Sequence, residues 1–230
     1  MVDFQVHSME GTQYVEVHME SDMFRAEAGA FCYYTGDVEI RSKLIPSFGG
    51  VMRALLAGEK VYRPTYRGTG IVTLESSLGG FHVLDLQDET WILEPGTYWA
   101  SDDEIKISYH REPIMTSIYA GEGLIYLQTK VSGTGKVVVT TRGPVEMIEL
   151  EPGKKVAVDG QSVICRTKDV SFKIRRSTKN WLGRLTSGEG RIRVYEGPGK
   201  ILLNPAPFWR YKAFTERVGS PDYPSRESAK

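Results

Sequence analysis

Three short motifs recur in the same order along this 230-residue chain. They are Glu-x-Gly, a small residue followed by Gly-Glu, and Gly-x-Gly before an apolar run. Their marker glycines are Gly29, Gly96 and Gly153 for the first, Gly58, Gly121 and Gly188 for the second, and Gly68, Gly133 and Gly197 for the third. The second motif recurs after 63 and 67 residues, the third after 65 and 64, and the first after 67 and 57. We therefore predict three copies of one unit, with an insertion at Gly79 and Gly80 explaining the looser first motif.

The segments between these motifs alternate apolar and polar residues, which is the pattern of half-buried β-strands. Examples are residues 137–141, 147–151, 155–159 and 170–175. Because glycine tolerates a positive φ, Pro-Gly and Gly-x-Gly are expected where the chain reverses between strands. Short strands at spacings near ten residues predict an all-β protein built from antiparallel sandwiches or barrels.

One segment in each copy departs from the strand pattern and lies just before the Gly-Glu motif. These segments are residues 50–57, 114–119 and 180–186. Apolar residues three and four positions apart in the first and third predict short amphipathic helices. We expect them to be plugs over an open end of each β unit. Contact with a partner or a membrane is the alternative.

The C-terminal segment, residues 205–230, differs from the three repeats, which we assign to 1–66, 67–131 and 132–204. Four of its aromatic residues fall within seven positions: Phe208, Trp209, Tyr211 and Phe214. Because such a cluster is costly to expose, we expect it to pack on the protein body or on a neighbouring subunit. The polar last dozen residues are expected to be disordered.

The charge composition makes nucleic acid an unlikely partner. Basic and acidic residues number 29 each, so the net charge lacks the excess that phosphate binding usually requires. The N-terminus does not resemble a signal peptide, and no apolar stretch approaches the roughly 20 residues that span a bilayer. Cys32 and Cys165 lie far apart in strand-like segments. We therefore expect buried, unpaired thiols and a cytoplasmic protein.

The titratable residues form none of the familiar catalytic or metal-binding motifs. The four histidines are scattered and are expected to be structural or solvated: His7, His18, His82 and His110. Strands rather than helices follow Gly-x-Gly, which argues against a phosphate cradle. The acidic run from Asp102 to Glu104 lacks calcium-loop spacing, so a solvated turn is favoured over a cation site. We expect no enzyme activity, no cofactor and no metal.

The three Gly-Glu motifs are the most informative polar feature. Glu59, Glu122 and Glu189 occupy equivalent places in the predicted copies, so a pseudo-threefold arrangement of carboxylates is expected. A structural role at a turn or beside an arginine is the simpler interpretation. A ring of carboxylates around a pore or ligand is the functional alternative.

Several of these motifs together resemble the "altered inheritance of mitochondria" family. They are Glu27-Ala-Gly-Ala, the run from Gly49 to Glu59, Gly121-Glu-Gly-Leu, Ser132-Gly-Thr-Gly and Glu151-Pro-Gly-Lys. The resemblance covers about residues 1–204. It implies a fold similar to the tryptophan RNA-binding attenuation protein, with a β-sandwich or short double-stranded β-helix three times per chain. It further implies trimers, and a link to inner-membrane organisation through a mitochondrial fungal relative. Lys60 and the Glu-Ala-Gly variant depart from the pattern of the other copies.

The functional hypothesis that follows is a non-enzymatic, oligomeric β-scaffold or binding module, with a homotrimer favoured. RNA binding by fold analogy and peripheral attachment to a membrane surface are the alternatives. Basic residues at 63–67 and 168–176 also favour RNA, whereas the balanced total charge argues against it. An enzyme acting on a small molecule between repeats is the least favoured hypothesis.

Overall fold

The computed structural model describes residues 2–42, 63–77, 79–111, 127–159, 162–176 and 191–205. Several predictions concern residues outside these ranges: the three helical plugs, the carboxylates Glu59, Glu122 and Glu189, the aromatics Phe208, Trp209, Tyr211 and Phe214, and the disordered tail.

The described residues form strands and no helix, so the all-β prediction is confirmed. The strands are β1 (Asp3–Met9), β2 (Thr12–Ala26), β3 (Phe31–Arg41), β4 (Thr65–Ser77), β5 (Phe81–Leu93), β6 (Tyr98–Asp102), β7 (Lys106–Arg111), β8 (Leu127–Thr140), β9 (Glu146–Leu150), β10 (Lys155–Asp159), β11 (Val163–Thr167), β12 (Ser171–Arg176), β13 (Arg191–Glu196) and β14 (Gly199–Leu203).

The strands form antiparallel sheets. The larger follows the order β3-β4-β2-β6-β8-β5-β11-β14-β9, with β1 added to β2 and β7 added to β8. The smaller has the order β10-β13-β12. Grouping these strands into three sandwich or double-stranded β-helix units remains a prediction.

Two long strands, β2 and β5, change their inward face at a bulge. In β2 the buried positions are Val15, Val17 and Met19 before the bulge and Phe24 and Ala26 after it. The register shifts between Met19 and Asp22, which moves the inward side chains from odd to even residues. In β5 the shift between Leu86 and Glu89 moves them from even to odd residues.

The Gly-x-Gly motifs support these bulges. Gly68 and Gly70 lie inside β4, and Gly133 and Gly135 lie inside β8, so the predicted chain reversal there is wrong. The threonine of each motif accepts a hydrogen bond from the bulge: Ser21 N to Thr69 Oγ1 at 3.0 Å, and Asp88 N to Thr134 Oγ1 at 3.1 Å. Ser21 and Asp88 have positive φ values of 59° and 55°. The motif therefore pins a strained bulge across the strand pair.

The Glu-x-Gly motifs do not all occupy the same place. Glu27 and Glu94 open turns at the ends of β2 and β5, where their carbonyl oxygens accept hydrogen bonds from Ala30 N and Thr97 N. Glu151 opens a similar turn but directly follows Leu150, which lies opposite Gly199. Met19 and Leu86 face the corresponding glycines, Gly70 and Gly135, just before the bulges. The turn at Glu151 thus takes the position that the bulges have in β2 and β5. This difference explains the short spacing of 57 residues between Gly96 and Gly153 without an insertion at Gly79 and Gly80.

Buried side chains gather in three clusters, and the first two cross the predicted repeat boundaries. The first joins Phe24 and Tyr66 to Ala100 and Val138, although these residues lie far apart in sequence. The second joins residues of β5 and β8 to Cys165 and Leu202. The third contains Tyr195 and Ile201. Cys165 is buried as expected, but Cys32 is exposed on β3, so the prediction of two buried thiols is wrong for Cys32.

Candidate interaction site

The end of β2 pairs with a strand of the next third of the chain, and we call this contact the first joint. Its paired residues are Phe24 with Asp102, Arg25 with Ser101, and Ala26 with Ala100. Just past the strand, Glu27 N donates a 2.7 Å hydrogen bond to the Trp99 carbonyl. The joint makes β2 and β6 neighbours in one continuous sheet.

The end of β5 makes the same kind of contact with β11, and we call this the second joint. Its paired residues are Trp91 with Thr167, Ile92 with Arg166, and Leu93 with Cys165. Glu94 N then donates a 2.9 Å hydrogen bond to the Ile164 carbonyl. The second joint therefore repeats the geometry of the first, with Glu94 in the place of Glu27.

A glutamate and an arginine close the first joint. Glu27 Oε1 lies 2.6 Å from Arg63 Nη1, and the Arg63 side chain is only 12% exposed. Burial raises the pKa of the Glu27 carboxyl, although the Arg63 guanidinium opposes this shift. The same guanidinium lies 4.9 Å from the centre of the Tyr98 ring. Burial raises the pKa of Tyr98, so this residue is a neutral packing partner.

The second joint contains a more deeply buried ion pair. Glu94 Oε1 lies 3.1 Å from Arg193 Nη1, with side-chain exposures of 12% and 7%. The same oxygen accepts a 2.9 Å hydrogen bond from Gln128 Nε2. Because a buried charge is costly unless paired, both partners are needed to keep this carboxylate in place.

Two arginines lie over one aromatic ring beside this ion pair. The Arg166 and Arg193 guanidinium carbons lie 5.3 Å and 5.4 Å from the centre of the Phe172 ring. Arg166 Nη1 also donates a 2.8 Å hydrogen bond to the Val170 carbonyl. These contacts hold the end of β11 against β12 and β13. The arginines thus support the sheet rather than a solvent-facing basic surface.

Two of the strands at the ends of the described sheets, β3 and β10, carry exposed residues. In β3, Tyr33 is 52% exposed and Tyr34 is 43% exposed. By contrast, Ala100 of β6 and Cys165 of β11, which are covered by another strand at the first and second joints, are fully buried. β10 is the end strand of the smaller sheet, and Ala157 on it is exposed. Among the described residues, no strand covers these two edges, so their backbone groups are available for strand addition.

An acidic cavity lies beside the first joint. Its volume is about 340 Å³, and its lining residues are Ser21, Asp22, Met23, Arg67, Asp102, Asp103 and Glu104. Asp102 is 3% exposed and accepts hydrogen bonds from Val2 N and Lys136 N, so the predicted solvated turn is wrong for this residue. Burial raises its pKa. Asp103 is paired with Arg25 at 2.8 Å.

The four histidines lie on different strands: His7 on β1, His18 on β2, His82 on β5 and His110 on β7. His7 and His18 flank Glu16, with Nε2 to Oε2 distances of 3.2 Å and 3.7 Å. His82 is half-buried in β5, and burial lowers its pKa. In the part of the chain that the structure describes, no group of three or more His, Cys, Asp or Glu side chains is arranged to hold a metal ion.

Comparison with known proteins identifies the family. A model of the family "Mitochondrial biogenesis AIM24" matches residues 4–206. The chain belongs to the AIM24 family. This result confirms the resemblance drawn from the Glu-x-Gly, Gly-Glu and Gly-x-Gly motifs, and the matched region ends close to the boundary expected at residue 204.

Two streptococcal proteins are similar to this AIM24 chain. An uncharacterised protein of Streptococcus pyogenes serotype M6 is 22% identical over 187 residues, covering 77% of this chain and 74% of the relative. The X-ray structure of a Streptococcus pyogenes protein has a TM-score of 0.71 and 19% identity, covering 95% of this chain and all of that one. The similarity supports the fold. A search of the described residues found no helix long and apolar enough to cross a membrane.

Proposed function

We propose that this AIM24 protein is a non-enzymatic β-scaffold or binding module that works as an oligomer of identical chains, with three copies favoured. The observation that carries the proposal is the pair of joints. Each joins strands of different thirds of the chain into one sheet, through the same backbone contacts. A sheet that grows by repeating one contact is suited to assembly, because further copies can extend it.

The repeat predicted from sequence is part of this proposal. Ser21 and Asp88 form similar bulges against Gly-Thr-Gly motifs, and Glu27 and Glu94 form similar turns. The simplest interpretation is that each third of the chain is a copy of one β unit. The polar residues at the joints contribute structure: Glu27 pairs with Arg63, and Glu94 with Arg193.

RNA binding, which fold analogy suggested, gains little support from the first group of basic residues. Arg63 is only 12% exposed and forms a salt bridge with Glu27, so its charge is already paired within the protein. Phosphate contacts need accessible cations that release counterions on binding. We retain a link to membrane organisation in the proposal for a binding module because the family description reads "Mitochondrial biogenesis".

Native mass spectrometry of the purified full-length chain tests the proposal, because it reports both subunit number and any bound small molecule. We expect an oligomer, with three copies as the favoured count. A clean monomer at micromolar concentration, confirmed by light scattering, would contradict it. Flotation with anionic liposomes tests the proposed link to membranes. Protein left wholly at the bottom of the gradient would contradict that link.

A further inference from the structure

Strand β10 has the same position in the third part of the chain as the end of β5 has in the second. In β8, Ser132 lies between Thr90 of β5 and Lys106 of β7. In β13, Glu196 lies between Lys155 of β10 and Ser171 of β12. Ser132 and Glu196 thus occupy equivalent positions, each in the central strand of three. Lys155 therefore corresponds to Thr90.

This correspondence extends along the strand to the residues that form the joints. Counting on from Lys155, Val156 corresponds to Trp91 and Val158 corresponds to Leu93. Trp91 and Leu93 are 2% and 0% exposed because β11 covers their strand. Val156 and Val158 are only partly buried, and no strand pairs with β10 except β13 among the described residues. Within the described part of the chain, the edge that corresponds to the one covered by β11 in the second joint is therefore open on β10.

Strand β3 corresponds in the same way to β6 and β11. All three have a register irregularity at the same place: between Phe31 and Tyr33, between Tyr98 and Ala100, and between Val163 and Cys165. Tyr33, Ala100 and Cys165 are therefore equivalent. Ala100 and Cys165 each face the end of a preceding long strand across a joint. Tyr33 has no such partner among the described residues, since β3 pairs with β4 alone.

We propose that β10 of one copy pairs antiparallel with β3 of a second copy, forming a third joint like the two within the chain. This inference rests on the proposed assembly and specifies the surfaces that make it. The register transferred from the existing joints places Val156 opposite Thr35, Ala157 opposite Tyr34, and Val158 opposite Tyr33. Asp159 N then donates to the Cys32 carbonyl, as Glu27 N does to Trp99 and Glu94 N to Ile164.

Charge supports a second copy as the occupant of both edges. In the transferred register, Lys154 of β10's turn lies opposite Asp37 of β3. Both residues are exposed, so their opposite charges are available to each other.

The proposed contact is head to tail, with different surfaces on the two copies. Repetition of such a contact closes a ring if the rotation permits, and otherwise makes an open filament.

Disulfide cross-linking tests this register in the full-length protein. Because the Glu27–Trp99 pair is hydrogen-bonded, the neighbouring Ala26–Ala100 pair is not, and the equivalent pair is Val158–Tyr33. The Cα atoms of such pairs lie about 4.5 Å apart, which suits a disulfide. Cys32→Ser removes the exposed native thiol. Val158→Cys is then made in one tagged chain and Tyr33→Cys in another, so that neither chain carries both new thiols.

We expect the mixed and co-refolded chains to form a disulfide-linked heterodimer on mild oxidation, which reducing agent reverses. The matched control pairs Tyr33→Cys with Ala157→Cys, which lies one residue away and on the opposite face of the strand. The control should cross-link several-fold less. An oligomer by native mass spectrometry in which the Val158 and control pairs link equally, or not at all, would overturn the register while leaving the proposed assembly standing. Monomeric wild-type protein would overturn both.

Discussion

Arg193 and Glu94 form a buried salt bridge across 99 residues of sequence, with Nη1 and Oε1 separated by 3.1 Å. Arg193 lies on β13 of the smaller sheet, and Glu94 directly follows β5 of the larger one. Glu94 also donates its backbone N–H to β11. One residue thus fastens the second joint through its backbone and joins the two sheets through its side chain.

Removing the arginine charge from this pair should be strongly destabilising. Arg193→Met keeps much of the side-chain volume beside Phe172 but leaves the Glu94 carboxylate buried without its cation. We expect a loss of about 3–5 kcal/mol in the free energy of unfolding, measured by urea denaturation. The control is Glu39→Gln, whose exposed pair with Arg41 is screened by solvent, so its loss should change the free energy of unfolding far less. Equal losses in both variants would contradict this account of Glu94.

Two glycines with positive φ should respond very differently to alanine. A Cβ atom at Gly70 would lie 2.1 Å from the Thr35 carbonyl oxygen, whereas one at Gly96 meets nothing within 4 Å. Gly96→Ala should cost about 1–2 kcal/mol for the left-handed backbone alone. Gly70→Ala should cost about 1–3 kcal/mol more, because β3 and β4 must separate. Comparison of the two urea midpoints and m-values checks this, and equal costs would refute it.

The sequence located these glycines but not their role. Glycine is needed at a chain reversal because it tolerates a positive φ, and where two backbones approach closely because it has no Cβ atom. The Gly-x-Gly pattern alone could not separate the two. At Gly68 and Gly70 the close approach decides, because the opposing carbonyls of Asp37 and Thr35 leave no room for a side chain. The alternating pattern sufficed for the all-β class because it reflects local burial.

Long-range contacts were the part that sequence could not supply. Asp102 lies in an acidic run that is typical of a solvated turn, yet its carboxylate is buried by partners 100 and 34 residues away. The Glu151 turn repeats the Glu-x-Gly motif, but strand pairing gives it the position that bulges occupy in β2 and β5. A local motif reports the turn it favours and leaves open which strands flank that turn.

The half-buried His82 should make stability fall below neutral pH. Burial lowers the pKa of His82 in the folded protein below the ordinary value of 6.5. The unfolded chain therefore takes up a proton first as pH falls, and stability present above pH 6.5 is lost as pH drops towards the folded pKa. The urea midpoint should fall between pH 7.5 and pH 5.5, and His82→Gln should reduce the size of that fall. An unchanged fall in the variant would exclude His82 as its source.

A charge on the open edge of β3 should block assembly without unfolding the chain. Lysine is tolerated on exposed strand edges and opposes pairing with another strand, because its charge would have to be desolvated. Tyr33→Lys replaces a side chain that is 52% exposed, so the isolated chain should keep its fold. The control is Ile40→Lys, on the same strand at 41% exposure but seven residues beyond Tyr33 and outside the proposed contact. Analytical ultracentrifugation should show Tyr33→Lys as a monomer and Ile40→Lys as the wild-type oligomer, with circular dichroism confirming strand content in both. If Tyr33→Lys assembles like wild type, the edge of β3 is not where copies meet.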